Sequence, residues 1–160
     1  GKAMEMLAQK GIKAEDILNG GAEAVVKLAS ATGGDLVTSA GIAAVALDTF
    51  NLNASDMGRV TDVMTAAVLR GGMSVEDFGH ALQSGGAAVR LAGGSIEDVS
   101  LGLAALAKAG IEGSDAGTSL KTMYMNLIPK SKEAAAMMQT LGIGTMDTSA
   151  AQKDLTNALF

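Results

Sequence analysis

The sequence predicts an all-α fold, either an array of short antiparallel helical hairpins or an irregular multi-helix bundle, with no sheet. Three observations lead to this class. An aspartate recurs one turn into successive candidate helices, five Gly-Gly pairs interrupt the chain, and apolar residues recur three and four positions apart. Apolar spacing of this kind marks one buried face of an α-helix, and no segment shows the period of two expected of a half-buried strand.

The recurring aspartate stands four residues after a small or apolar residue that follows a break in the chain. Asp56, Asp77 and Asp98 are each 21 residues apart, and Asp35 follows a Gly-Gly pair. An acidic group in a first turn meets unpaired backbone N–H groups and the positive end of the helix dipole. The repeat therefore predicts a helix restart about every twenty residues. The remaining instances are Asp16, Asp115 and Asp147.

These signals and the breaks between them set the helix boundaries. The fifth and sixth helices begin with Ser74 to Asp77 and Ser95 to Asp98, which resemble capping boxes with Asp in place of the more usual Glu. Pro129 ends the seventh helix, because the residue before a proline avoids the helical conformation. The predicted helices span residues 2–10, 14–31, 35–50, 54–71, 75–92, 96–109, 114–127, 131–141 and 148–159.

Glycine and apolar residues supply the remaining detail. Because a glycine inside a helix costs about 1 kcal/mol relative to alanine, most Gly-Gly pairs should mark helix ends or kinks. Gly20-Gly21 and Gly85-Gly86 nevertheless fall inside predicted helices. The buried face of the fourth helix is predicted to consist of Val60, Val63, Met64, Ala67 and Val68.

Composition excludes several classes of protein. Twelve Lys and Arg against seventeen Asp and Glu give a net charge of −5 without a basic run, so specific nucleic-acid binding is not expected. The absence of cysteine excludes disulfides, thiol nucleophiles and thiolate metal sites. The apolar stretch from Leu36 to Leu47 spans about 18 Å as a helix, which is short of the roughly 30 Å hydrocarbon core of a membrane. It is therefore predicted to be a buried helix.

Residues 1–160 are expected to form a single helical module. The chain opens with Gly1-Lys2-Ala3-Met4 and shows neither an initiator methionine nor a signal-peptide pattern. We therefore expect a fragment of a much longer polypeptide, with part of the function encoded elsewhere.

No residue pattern predicts catalysis, cofactor binding or a metal site. His80 follows Asp77 on one helical face, but a di-metal carboxylate site would need a second carboxylate and histidine pair. Asp77, His80 and Ser84 lie along one helix and cannot converge on a single reacting atom. Gly142-Ile143-Gly144 begins like a dinucleotide fingerprint, but no predicted strand precedes it.

Two surface features have alternative interpretations. Methionine-rich positions form either an adaptable partner-binding surface or, as we expect, core filling. Small residues three apart, such as Ala40 and Ala43, allow close helix packing either in a bilayer or, as we expect, in an alanine-rich bundle. The methionines concerned are Met123, Met125, Met137 and Met138.

One stretch resembles the phage tail tape measure family. It runs from Leu106-Ala107-Lys108-Ala109-Gly110 through Asn126-Leu127-Ile128-Pro129, and Leu141-Gly142-Ile143 follows it. Upstream segments 31–36, 50–52 and 59–63 also resemble the conserved core region of that family, so the resemblance covers nearly the whole chain. We call residues 106–129 the tape measure motif. Its structural residues are Gly110, Gly113, Asp115, Ala116, Gly117, Thr118, Ser119, Leu120 and Pro129.

The resemblance implies a non-enzymatic virion structural protein without a cofactor. Tape measure proteins occupy the tail lumen, set tail length and leave ahead of the DNA, after assembly in the host cytoplasm. The implied partners are tail tube and tail tip proteins, tail assembly chaperones, further copies of the chain, and the host membrane at infection. The alternative is a membrane-interacting or pore-forming helical module.

The motif also carries a packing expectation. Gly110 and Gly113 flank a reversal of the chain, where a left-handed backbone conformation is accessible to glycine at low cost. Small residues after the turn should let the next helix pack closely on its neighbour. Leu120, Met123 and Leu127 are then expected to face the core.

Overall fold

The computed structural model describes residues 1–142, which fold into eight helices and contain no strand. The all-α prediction is confirmed. The predicted helix 148–159 and Asp147 lie outside the described residues. The helices are α1 (Lys2–Gln9), α2 (Ala14–Thr32), α3 (Leu36–Thr49), α4 (Ala54–Asp56 and Met57–Gly71), α5 (Val75–Ala81, Leu82–Gly86 and Ala87–Leu91), α6 (Ile96–Lys108), α7 (Gly113–Leu127) and α8 (Lys132–Thr140).

One turn design joins the first seven helices. Each of the first six connections ends with a residue of positive φ, one further residue, and the N-cap of the next helix. The left-handed residue lets the chain leave a helix and satisfies its last carbonyls. Asn51, with φ of 53°, takes the place that glycine holds elsewhere. The left-handed residues are Gly11, Gly33, Asn51, Gly72, Gly93 and Gly110.

This turn explains the recurring aspartate. Three residues after the N-cap, the Asp carboxylate can accept a hydrogen bond from the N-cap backbone. Complete capping boxes form at Asn53 with Asp56 and at Ser95 with Asp98. At the start of α5 the Ser74 hydroxyl accepts from the backbone N–H of Asp77 and donates to its carboxylate instead. The aspartate is therefore a helix-start residue, as predicted.

Asp35 differs because it is itself the N-cap of α3. Its carboxylate accepts hydrogen bonds from the backbone N–H and the hydroxyl of Thr38, at 2.8 and 3.0 Å. These bonds lower the pKa of Asp35 below its ordinary value. In α3 the aspartate therefore occupies the N-cap position, whereas in the other helices that carry it, it lies three residues after the N-cap.

The helices pack in two rows. Each helix from α1 to α7 makes its most extensive contact with the helix two positions away along the chain. One row consists of α1, α3, α5 and α7, and the other of α2, α4 and α6. Sequential helices join the rows, and α2 meets α3 at a bend of 118°. A one-dimensional array of this kind is typical of repeat proteins, in which each unit buries its apolar face only against its neighbours.

The core lies between and along the two rows. Phe78, Leu28 and Met64 are fully buried within it. In α3, Ala40, Ala43 and Ala44 are buried as well, so its small residues serve close packing inside the fold. The predicted buried helix over residues 36–47 is confirmed. Arg59 of α4 forms a salt bridge with Glu97 of α6, its neighbour in the same row, and the hydrogen bond between them raises the pKa of the arginine.

The Gly-Gly pairs take three roles. The pairs at 33, 71 and 93 end helices, as predicted. Gly20 has φ of 110° and kinks α2, which resumes at Ala22. Gly85-Gly86 instead stays helical in a widened π-helical turn, so α5 continues through it.

Candidate functional site: the tape measure motif

The motif begins with the turn that ends α6. Gly110 has φ of 82°, and its N–H donates to the carbonyl of Ala107 at 2.9 Å. The N–H of Ile111 donates to the carbonyl of Leu106 at 3.0 Å. Both bonds satisfy carbonyls that would otherwise be unpaired at the helix end. The left-handed conformation expected of Gly110 is confirmed.

Gly113 starts α7 with φ of 56° and is buried. A Cβ built on it would lie 3.5 Å from Oδ1 of Asp77, an ordinary van der Waals distance. The backbone conformation, and not lack of space, therefore favours glycine here. The contact also shows that the turn before α7 lies beside the first turn of α5.

The closest approach in the motif joins α7 to α5. A Cβ on Gly117 would overlap the backbone carbonyl of Ala81 and lie 2.8 Å from Cβ of Ser84. A Cβ on Gly85 would overlap the carbonyl of Gly117 in turn. The two helices thus touch backbone to backbone. The sequence predicted close packing after the turn, but it did not identify Gly85 as the partner.

Three side chains of α7 anchor the motif in the core. Ala116, Leu120 and Tyr124 are buried. Leu120 fills the space over Gly102 of α6, where an added Cβ would lie 2.6 Å from its Cδ2. Tyr124 lies over Gly94, with Cε1 3.1 Å from an added Cβ. Burial, with a smaller effect of Asp98, raises the pKa of Tyr124 above its ordinary value.

The expected core position of Met123 is wrong. Its side chain is 48% exposed, Leu127 is half-buried, and Tyr124 takes the core position. The core-filling interpretation of the other methionines is also wrong, because Met125 and Met137 are exposed and Met138 is only half-buried. Helix α8, which carries the last two, has no buried residue.

The remaining motif residues lie on the surface or at the helix end. Asp115, Thr118 and Ser119 are exposed. Ile128 is extended, with φ of −80° and ψ of 116°, and α7 ends at Leu127 before Pro129. The predicted stop is confirmed.

The structure brings together no acid, base and nucleophile at the residues considered for catalysis. Asp77 binds the Ser74 hydroxyl, and Ser84 donates at 2.9 Å to the backbone carbonyl of His80. His80 is exposed. Over residues 1–142, no group of three or more His, Asp or Glu side chains is arranged to hold a metal ion. The Gly142-Ile143-Gly144 pattern extends beyond the described residues.

Within the same range no single helix is long and apolar enough to cross a membrane. Taken together, α2 and α3 have the length and apolar composition of a bent membrane-crossing segment. Much of α3, however, is buried in the fold.

Comparison with known proteins identifies the family of this chain. A sequence profile of the phage-related minor tail proteins matches residues 1–160. The chain belongs to this family. The chain is also similar to the tape measure protein of Pneumococcus phage Dp-1, with 30% identity over 148 residues. The similar region covers 92% of this chain and 13% of that relative, and no solved structure matches the chain significantly. The resemblance to tape measure proteins is confirmed.

Proposed function

We propose that this chain is a structural, non-enzymatic segment of a phage tail tape measure protein, and that the full-length protein acts in tail assembly and length determination. The observation that supports this most strongly is its similarity, over nearly its whole length, to a curated tape measure protein. The segment would reside in the tail lumen after assembly in the host cytoplasm. Its proposed partners are tail tube and tail tip proteins, tail assembly chaperones and other copies of itself.

Within that role, we propose that the segment is a compact module beside the ruler and not the ruler itself. A helical ruler needs long uninterrupted helix with a sustained heptad pattern. Here the left-handed turn residues recur every 17 to 22 positions, and the helices fold back into two rows. The folded segment would therefore span little length along the tail axis for its number of residues. It suits a role in organising the tail tip and in delivery of the genome, with contact to the host membrane at infection.

A deletion experiment separates the two roles. A ruler segment contributes about 1.5 Å of helix per residue, so its in-frame deletion should shorten tails in proportion and leave them otherwise normal. For deletion of the present segment we expect few tails or tails without an intact tip. Electron microscopy of the particles distinguishes these results, and normal tails shortened in proportion would contradict the proposed role.

Tandem duplication of the segment is the matched control. A ruler would lengthen the tail, whereas a module beside the ruler should leave the length of any tail that forms unchanged. Lengthening in proportion to the added residues would contradict the proposal.

A further inference from the structure

The kink in α2 places an asparagine directly before a glycine. Of the asparagines in the sequence, Asn19 alone is followed by glycine, and both Asn19 and Gly20 are exposed. The backbone nitrogen that follows an asparagine can attack the side-chain amide and release ammonia. Glycine favours this reaction because it has no Cβ to obstruct ring closure and adopts a wide range of φ. The pair therefore has the covalent requirements for spontaneous deamidation.

The backbone at this pair also departs from the α-helix, which suppresses the reaction. A regular helix holds ψ near −42° and binds each backbone N–H to the carbonyl four residues back. Here Asn19 has ψ of 35° and Gly20 has φ of 110°. The N–H of Ala22 donates to the carbonyl of Ile17, five residues back. The peptide group between Asn19 and Gly20 thus lies in an interruption of the helix, where it can rotate toward the geometry of ring closure.

We propose that Asn19 is a site of spontaneous deamidation and isoaspartate formation. The backbone nitrogen of Gly20 loses its proton and attacks Cγ of Asn19. A bond forms between these two atoms, the bond between Cγ and Nδ2 breaks, and ammonia leaves with the proton. Water then opens the succinimide ring, at Cγ to give aspartate or at the main-chain carbonyl carbon to give isoaspartate. Water is the only co-reactant, and no atom changes its oxidation state.

Both products should weaken α2. The new carboxylate joins Glu15, Asp16 and Glu23, which all lie within four residues of it, and like charges this close along a helix are destabilising. Isoaspartate also inserts one carbon atom into the main chain at the kink. Ile17 before the kink and Val25 after it are both buried, so the inserted atom displaces one of these anchors relative to the other. This chemistry is separate from the proposed role in the tail.

Two variants provide matched controls. Asn19→Gln keeps an amide at the kink, but its longer side chain would have to close a less favourable six-membered ring. Leu101→Asn places an asparagine before Gly102 inside the regular helix α6, at a position where Leu101 is 73% exposed. The chain carrying Leu101→Asn then contains the same dipeptide in a kink and in a regular helix.

Peptide mass spectrometry after incubation of the folded chain in heavy-oxygen water at mildly alkaline pH measures the reaction. Asn19 should lose its amide and gain one labelled oxygen, whereas the amide introduced at position 101 should persist in the same molecules. Isoaspartyl methyltransferase should label the incubated chain but not Asn19→Gln. In concentrated urea, which removes both helices, the two sites should react at similar rates. Urea unfolding of the incubated chain should also show a population of lower midpoint that Asn19→Gln lacks.

Two results would overturn the proposal. Persistence of the Asn19 amide in the folded chain, with rapid loss in urea, would mean that the kink protects the pair. Equal rates of loss at positions 19 and 101 in the folded chain would mean that the kink has no part in the reaction. Neither result would bear on the role in the tail, which the deletion experiment tests separately.

Discussion

Gly117 of α7 and Gly85 of α5 bring two helix backbones into direct contact. A Cβ on either glycine would overlap a backbone carbonyl of the other helix, that of Ala81 or that of Gly117 itself. Backbone atoms cannot rotate away as the end of a flexible side chain can. The tape measure motif therefore acts as a packing surface, and its fit depends on two hydrogen atoms in place of methyl groups.

Gly117→Ala should destabilise the 160-residue chain. Overpacking of a close contact typically costs about 1–3 kcal/mol, which here would exceed the gain of about 1 kcal/mol from replacing a helical glycine with alanine. Gly58→Ala is the matched control, because Gly58 lies in an exposed part of α4 with nothing within 4 Å of an added Cβ. Urea unfolding should show opposite shifts of the midpoint for the two variants. Equal stabilisation by both would show that the helices separate at no cost.

The double variant Gly85→Ala with Gly117→Ala tests whether the two glycines share one contact. Once the first methyl group has pushed the helices apart, the second meets less resistance. The double variant should therefore lose less stability than the sum of the losses of the two single variants. Strict additivity would indicate two independent sites.

Helix positions were predictable because their signals are local. Caps, left-handed turn residues and Pro129 act within a few residues, and the predicted boundaries lie close to the observed ones for the helices described. The row packing was not predictable, because the partner of Gly117 is 32 residues away and the Gly-Gly pair at residue 85 does not indicate which helix approaches it. The burial of Tyr124 in place of the predicted Met123 was not predictable either, because it also depends on a residue distant in sequence. Both lie one turn after Leu120, and only the space over Gly94 decides which is buried.

Tyr124 should titrate above the ordinary tyrosine pKa of about 10. Burial opposes the phenolate, so folding raises the pKa of Tyr124. Its contribution to stability is then fully present below the ordinary pKa and is lost as pH rises through the raised value. Because the sequence contains one tyrosine, ultraviolet absorbance of the phenolate reports on this residue alone. An ordinary pKa in the folded protein would mean that the ring is not buried against Gly94.

Asn51 and Gly110 provide opposite tests of the left-handed turn. Asn51→Gly should raise the free energy of unfolding slightly, since Asn51 has φ of 53° and glycine adopts such values readily. Gly110→Val should lower the free energy of unfolding by about 1–2 kcal/mol or more, because valine is strained at the φ of 82° that Gly110 adopts. Nothing lies within 4 Å of an added Cβ, so a steric clash does not contribute. Urea unfolding measures both. Unchanged stability of Gly110→Val would show that the turn adopts another conformation.

His80→Ala should leave the function of the segment intact. The side chain is exposed, and its neighbour Ser84 uses the backbone carbonyl of His80 and not the imidazole. Infectivity of phage carrying the variant is the measurement. A substantial loss in a variant that still folds would assign the imidazole a role that the present structure does not explain.

Tail production by phage carrying Gly117→Ala tests the central claim most directly, namely that backbone packing through the tape measure motif is required for tail assembly. Electron microscopy should show far fewer normal tails for Gly117→Ala than for Gly58→Ala, and the latter should equal the unsubstituted phage. Normal numbers of normal tails from Gly117→Ala, in a chain that urea unfolding shows to be destabilised, would contradict the claim.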